Sequence, residues 1–232
     1  MRKSVWRAAL LLLAAATGAR ADSITFVTPT GSTTGGGPVD ASATFTTGAG
    51  TIDITLTDLQ ANPTDVAQLI SDLAFTLSNG APAGTLTSSS GQEIDVNSGG
   101  TSTLGPTVST GWLLTPFGGG EFLLDVLGSP TGPSHLIIGP PGAGGTYSNA
   151  NGSIAGNLPH NPFLNQTATF VISVPGVDTT TTITAATFSF GTTPGIDVPG
   201  VPSVPVPEPS AIILLGTGLI GFAGARRRKP VR

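Results

Sequence analysis

The segment Thr51-Ile52-Asp53-Ile54-Thr55-Leu56-Thr57 alternates polar and apolar side chains without interruption. Successive side chains of a β-strand point to opposite faces, so Ile52, Ile54 and Leu56 would share one face. A strand with one buried face and one solvated face is typical of an antiparallel sheet. This segment therefore predicts a half-buried strand in an antiparallel sheet.

Similar short runs rich in Thr, Val, Ile and Phe recur between Gly and Pro residues on both sides of this segment. The predicted strands are residues 23–28, 41–47, 51–57, 73–78, 84–87, 93–97, 108–114, 121–126, 135–138, 167–174 and 182–190. Many short strands separated by turn residues favour a sandwich of two sheets. We therefore expect a mainly β fold, an antiparallel β-sandwich of the jelly-roll or Ig-like type.

One segment departs from the strand pattern. Residues 62–65, Asn-Pro-Thr-Asp, form a turn with a plausible helix N-cap. The apolar residues that follow at helical spacing are Val66, Leu69, Ile70 and Leu73. This spacing predicts one short helix over residues 62–73, and a cover over one end of the sheet is preferred to a partner-binding helix.

Charge is distributed unevenly along the chain. All nine Lys and Arg residues lie within residues 2–20 and 226–232, whereas residues 22–206 hold ten Asp and two Glu, a net charge of about −12. Such a surface repels nucleic acid, so no nucleic-acid partner is expected. Carboxylates also bind calcium, but no calcium-loop motif occurs. A solvated acidic surface without metal or cofactor is the preferred interpretation, and calcium is the alternative.

Few residues in residues 22–206 could support catalysis. The chain has no Cys, and His135 and His160 are its only near-neutral bases, neither within a known motif. We therefore expect no enzyme and assign no catalytic residue. A glycoside-active enzyme built on Glu93 or Glu121 is the weakest alternative, because it needs two carboxyl groups about 5–10 Å apart in a cleft.

Three aromatic residues lie in or beside Gly-rich and Pro-rich loops. Trp112, Phe117 and Tyr147 could form a platform on which a sugar ring stacks. The preferred interpretation is that Trp112 belongs to the core and the other two rings pack the loops down, with the sugar platform as the alternative. On that alternative, the three residues are tentative ligand-binding residues.

Residues 1–21 have the build of a secretory signal peptide. A basic start precedes the apolar run 8–16, and Ala19-Arg20-Ala21 resembles a cleavage site with Ala19 and Ala21 as its small residues. Cleavage there would leave Asp22 as the first residue. An uncleaved N-terminal membrane helix is the alternative.

A second processing segment occupies residues 207–232. Pro207-Glu208-Pro209 precedes the predicted membrane helix 210–225, whose apolar run 211–225 carries no charge and would span roughly 22 Å at about 1.5 Å per residue. The basic residues that follow are Arg226, Arg227, Arg228 and Lys229. Short basic flanks resist translocation, so this end should stay in the cytoplasm and the preceding chain outside. A tail anchor with a proline-rich stalk is the alternative.

The tripeptide, the apolar helix and the basic cluster together resemble the PEP-CTERM sorting signal of bacterial surface proteins. The resemblance implies an exosortase partner that recognises Pro207, Glu208 and Pro209 and removes the membrane helix. It also implies export, membrane anchoring before processing and a final location at the cell surface or outside the cell. Proteins with this signal are associated with exopolysaccharide, biofilm or floc matrix. A carbohydrate-binding or adhesive module is the alternative function.

The sequence thus predicts four parts. They are a signal peptide at 1–21, a β-sandwich at 22–190, a Pro/Gly-rich stalk at 191–206 and a sorting signal at 207–232 with its transmembrane helix at 210–225 and basic tail at 226–232. No disulfide can hold the β-sandwich, so its core must stabilise it.

Overall fold

The structure is a computed structural model that describes residues 22–193 and 195–203. The predicted signal peptide and the predicted sorting signal, including its transmembrane helix, lie outside the described residues. Within the described part, β-strands dominate and confirm the mainly β fold. The strands are β1 (Asp22–Val27), β2 (Thr33–Thr34), β3 (Gly37–Pro38), β4 (Ala41–Thr47), β5 (Thr51–Asp58), β6 (Ile70–Leu77), β7 (Thr85–Val96), β8 (Ser102–Val108), β9 (Leu113–Gly118), β10 (Glu121–Asp125), β11 (Ile137–Ile138), β12 (Phe163–Ser173), β13 (Ile183–Phe190), β14 (Asp197–Pro199) and β15 (Val201–Ser203).

These strands form two layers. One layer has the order β9-β10-β6-β13-β14, and the other has the order β15-β1-β4-β5-β12-β7-β8. Strand β11 joins them because it pairs antiparallel with β6 and parallel with β12. Gly200 separates β14 from β15, so the chain passes from one layer to the other at that residue. The remaining short pair, β2 and β3, lies apart as a hairpin.

Aromatic rings join the two layers in the core. Phe45 on β4 lies 5.3 Å from Phe75 on β6, centroid to centroid, and these strands belong to different layers. Phe26 extends the contact on one side and Phe122 on the other, at 6.1 Å and 5.4 Å. Rings at such distances stabilise a core beyond the burial of their area alone. The two layers therefore pack face to face as a sandwich.

The alternating segment on β5 behaves as its pattern predicted. Ile52, Ile54 and Leu56 are at most 1% exposed, and Asp53 and Thr55 between them are exposed. β5 pairs antiparallel with β4 on one side and with β12 on the other. Its buried face is therefore fixed by a strand on each flank, which prevents a slip of register.

The predicted helix over residues 62–73 is wrong in length. Only Val66–Gln68 form a 3-10 helix, with Asp65 as N-cap in a capping box with Gln68. Strand β6 begins at Ile70, and Leu73 lies within it with its side chain buried. The spacing was ambiguous because Leu69-Ile70 and Leu73 also suit a buried strand, and pairing with β10 and β13 decides between the two.

Other boundaries also differ from prediction. The segment 108–114 is not one strand, because β8 ends at Val108 and β9 starts at Leu113. The two short strands predicted at 84–87 and 93–97 are parts of one strand, β7. Parts of the segment expected as a stalk from residue 191 form strands instead, because β14 pairs with β13 and β15 lies beside β1. The β domain therefore extends beyond Phe190 into the Pro-rich segment.

Candidate ligand-binding groove

Two of the three tentative ligand-binding residues are buried. Trp112 is 2% exposed, its Nε1–H donates to the backbone oxygen of His135 at 3.0 Å, and its ring lies 5.3 Å from that of Phe170. Tyr147 is 1% exposed, and its hydroxyl donates to the Gly139 oxygen at 3.0 Å. The polar tip of each ring is satisfied inside the protein, so neither ring offers a face to a sugar.

Phe117 is the one ring of the three that faces solvent. It is 65% exposed and lies near the end of β9, just before the turn at Gly118–Gly120. All three glycines of this turn have positive φ. A Cβ at Gly120 would lie 2.6 Å from the Leu77 oxygen, so only glycine fits there. The turn therefore holds Phe117 beside the outer face of β10 and β6.

Phe117 forms one wall of a shallow groove on this outer face. The groove has a cavity volume of about 310 Å³ and is lined by Ala74, Phe75, Thr76, Phe117, Glu121, Phe122, Ala185, Ala186 and Thr187. Its floor is low because the outward positions of β6 and β13 carry small residues such as Ala74 and Ala185. The result is an open groove with an aromatic wall.

Polar groups follow one row across the groove. Glu121 pairs with Thr76 across β10 and β6, and Thr76 lies opposite Ala185 on β13. Directly opposed side chains have Cβ atoms about 4.5–5.5 Å apart. Among the described residues, neither the Glu121 carboxylate nor the Thr76 hydroxyl has a side-chain hydrogen-bond partner. Both groups are therefore available to a ligand that lies against Phe117.

The same face carries a row of carboxylates farther along the strands. Asp72 on β6 lies opposite Asp125 on β10 and Ser189 on β13, and Ser189 lies opposite Asp197 on β14. Burial raises the pKa of Asp72 to about 6, with smaller contributions from Asp125 and Asp197 and an opposing hydrogen bond from Ser189. This face is therefore acidic, and anionic ligands are repelled from it.

The carboxylates at the ends of this row already accept hydrogen bonds within the domain. Asp125 accepts from the backbone N–H groups of Leu127 and Gly128 at 2.7 Å and 2.8 Å. Asp197 accepts from the Ser189 hydroxyl at 2.6 Å. Among the described residues, no group of three or more His, Cys, Asp or Glu side chains is placed to hold a metal ion. The acidic row is therefore part of the sheet structure.

A side-chain contact that the sequence did not suggest joins Glu93 and His135. The His135 Nε2 lies 3.1 Å from the Glu93 Oε1, and its Nδ1 lies 2.8 Å from the Thr110 oxygen. His135 has a positive φ of 61°, which turns its ring toward β7. Both ring nitrogens face oxygen acceptors, so the contact is an ion pair when the ring carries both protons. The pair packs beside Trp112, away from the groove.

The residues assigned to processing lie outside the described part of the chain. They are Ala19, Ala21, Pro207, Glu208, Pro209, Arg226, Arg227, Arg228 and Lys229. No helix found within residues 22–193 and 195–203 is both long enough and apolar enough to cross a bilayer.

Comparison with known proteins identifies one feature of the chain. The family model of the PEP-CTERM protein-sorting motif matches residues 205–229. This match confirms the resemblance drawn from the Pro-Glu-Pro tripeptide, the apolar run and the basic cluster. No curated protein and no solved structure gives a significant match to the chain. The chain therefore carries a signal for exosortase-directed export and C-terminal anchoring. The family match does not extend to the β domain.

Proposed function

We propose that this chain is a non-catalytic protein of the cell surface or extracellular matrix, and that its β domain binds a neutral polysaccharide. The sorting motif at residues 205–229 supports export to the place where such polymers occur. The observation that carries the binding proposal is the solvent-facing ring of Phe117 beside unpaired polar groups in an open groove.

The chemistry of the groove suits a sugar. A pyranose ring has an apolar face of C–H groups that can lie on an aromatic ring, and hydroxyls at its edge that need hydrogen-bond partners. Phe117 offers the ring, the Glu121 carboxylate accepts, and the Thr76 hydroxyl can donate or accept. The groove is open to solvent, which lets a chain of sugars continue beyond it.

The negative charge of the domain favours neutral polysaccharides over anionic ones. With about −12 from ten Asp and two Glu in residues 22–206, the domain repels polymers rich in uronate, sulfate or phosphate. Asp72 and Asp125 place part of this charge on the same face as the groove. A neutral glucan, galactan or mannan meets no such repulsion.

The spacing of carboxylates favours binding over hydrolysis. Glu121 is the one carboxylate that lines the groove. Asp125 lies four residues along β10, about 13 Å away at roughly 3.3 Å per residue. Glycoside hydrolysis uses carboxyl groups about 5–10 Å apart. Glu93, the other acid of the enzyme alternative, is paired with His135.

The test is Phe117→Ala in the mature exported protein, assayed against an array of neutral and acidic glycans. Removing the ring should weaken binding of a neutral polysaccharide at least about tenfold, because burial of a Phe side chain contributes about 1.5–3 kcal/mol. Leu104→Ala is the matched control, since Leu104 is 58% exposed and lies on β8 in the other layer.

Two results would contradict the proposal. One is that the wild-type protein binds no neutral glycan on the array. The other is that Leu104→Ala and Phe117→Ala reduce binding equally, which would place the contact elsewhere. Release of reducing sugar that is lost in Glu121→Gln would replace binding with catalysis.

A further inference from the structure

A fully buried carboxylate ends strand β5. Asp58 is 0% exposed, and its Oδ1 accepts from the Gln60 backbone N–H at 3.0 Å. The Gly139 backbone also contacts this carboxylate. Its Oδ2 is buried and has no hydrogen-bond partner. A buried carboxylate oxygen without a partner is costly, so this atom needs an explanation.

A second buried oxygen without a partner lies four residues later. It is the Oδ1 of Asn62, whose backbone has a positive φ of 50°. Two donors of Asn62 are occupied: its backbone N–H donates to the Pro140 oxygen at 2.7 Å, and its Nδ2 donates to the Ser148 hydroxyl at 3.3 Å. Only the side-chain oxygen of Asn62 is left without a partner among these groups.

Asp58 at the end of β5 and Asn62 in the loop that follows both pack against the loop of residues 139–142. A Cβ at Gly139 would lie 2.0 Å from the Gln60 oxygen and 2.9 Å from the Asp58 Oδ1. A Cβ at Gly142 would lie 3.0 Å from the Asn62 Cγ. Glycine at both positions therefore lets this second loop approach the side chains of Asp58 and Asn62 closely.

No Lys or Arg is available to neutralise Asp58, because residues 22–206 contain neither. The rings of His135 and His160 bond to other groups. The nearest titratable groups, Asp40 and Tyr147, add no positive charge. A charged Asp58 carboxylate therefore needs a cation that no side chain of this part of the chain supplies.

We propose that the Asp58 carboxylate and the Asn62 side-chain oxygen bind a calcium ion between the loop after β5 and the loop 139–142. Calcium takes oxygen ligands from carboxylates, side-chain amides, backbone carbonyls and water, in flexible geometry. It would bind both unpartnered oxygens and neutralise the carboxylate. A proton on Asp58 donated to the Asn62 oxygen would satisfy the same two atoms, and a dependence of stability on calcium distinguishes the two. The two loops contain no Cys or His, so the oxygen donors disfavour zinc.

The first experiment follows thermal unfolding of the mature protein in EGTA, in calcium and in magnesium. Calcium at about 2 mM should raise the Tm by about 5 °C, as expected for a site of sub-millimolar affinity, and magnesium should raise it less. Asp58→Asn keeps the shape of the side chain and should abolish the calcium effect. Asn62→Ala should reduce it.

Asp53→Asn is the matched control, because Asp53 is exposed on the same strand and its loss changes the net charge equally. Retention of the calcium shift in Asp53→Asn separates a bound ion from diffuse screening of the acidic surface. An equal calcium shift in all three variants would overturn the proposal. So would a wild-type Tm that is the same in EGTA and in calcium, which would make Asp58 a buried neutral acid.

A second measurement covers the case in which Asp58→Asn does not fold. Tyr147 is the one tyrosine of the chain, and its hydroxyl bonds to Gly139, the residue beside Asp58. Terbium bound in place of calcium should therefore show Tyr147-sensitised luminescence in the wild-type protein. Excess calcium should remove this signal. Its absence, or its persistence in excess calcium, would overturn the proposal.

Discussion

The carboxyl group of Asp72 makes the stability of the domain depend on pH. Burial and the neighbouring acids raise the pKa of Asp72 to about 6, above the usual value of 3.8. The folded chain therefore binds the proton more tightly than the unfolded chain. Its stabilising contribution is fully present below about pH 4 and is lost as the pH rises through 6.

Asp72→Asn should therefore stabilise the protein at pH 7.5, because it removes a charge that the fold disfavours. We expect a gain of roughly 2 kcal/mol in the free energy of unfolding, shrinking toward zero near pH 4. Thermal unfolding at the two pH values measures it. The control is Asp53→Asn, at an exposed position of β5. A gain of the same size at both pH values would show that charge is not its cause.

The hairpin of β9 and β10 is the element that presents Phe117. Gly120 makes two backbone hydrogen bonds: its oxygen accepts from Leu77 at the end of β6 at 2.9 Å, and its N–H donates to Ala81 in the turn after β6 at 3.1 Å. Gly119 has a similar positive φ of 63° but nothing within 4 Å of a Cβ. Both glycines therefore need a positive φ, but only Gly120 lacks the space for a Cβ.

Gly119→Ala and Gly120→Ala should separate these two effects. Gly119→Ala should cost about 1 kcal/mol for the strained backbone alone. Gly120→Ala adds the clash with the Leu77 oxygen and should cost about 3 kcal/mol, and it should also weaken glycan binding by displacing Phe117. Urea unfolding measures both. Equal costs would mean that the hairpin does not depend on this close approach.

Elements with a clear period of two could be predicted from the sequence. Strand β4 was expected at residues 41–47 and is Ala41–Thr47, because its alternation is uninterrupted. Strand β8 was missed because Gly105 and Pro106 interrupt its pattern, although both suit a strand at the edge of a sheet. The Pro-rich strands β14 and β15 were read as a stalk for the same reason.

The candidate site could be predicted only in part. Phe117 stood out as an aromatic residue beside glycines, but Trp112 and Tyr147 met the same criterion and are buried. Their partners are backbone oxygens of His135 and Gly139, which no local pattern reveals. The groove itself depends on the register of four strands. Cross-strand neighbours such as Glu121 and Thr76 are invisible before that register is known.

At the scale of the whole molecule, charge and processing point to the same role. A net charge of about −12 without Lys or Arg favours solubility and disfavours contact with nucleic acid and anionic polymers. The basic residues flank it in the segments assigned to targeting, and the sorting motif covers residues 205–229. Removal of both segments would leave an acidic β domain outside the cell, free to associate with neutral matrix polymers.

The intact mass of the mature protein, purified from an exosortase-containing host, tests most directly whether both terminal segments are removed. We predict that the wild-type chain starts at Asp22 and has lost the basic residues 226–229. Glu208→Ala should retain them and stay in the membrane fraction. A wild-type protein that keeps residues 1–21 and 226–229, or an identical C-terminus in the wild type and Glu208→Ala, would contradict the claim.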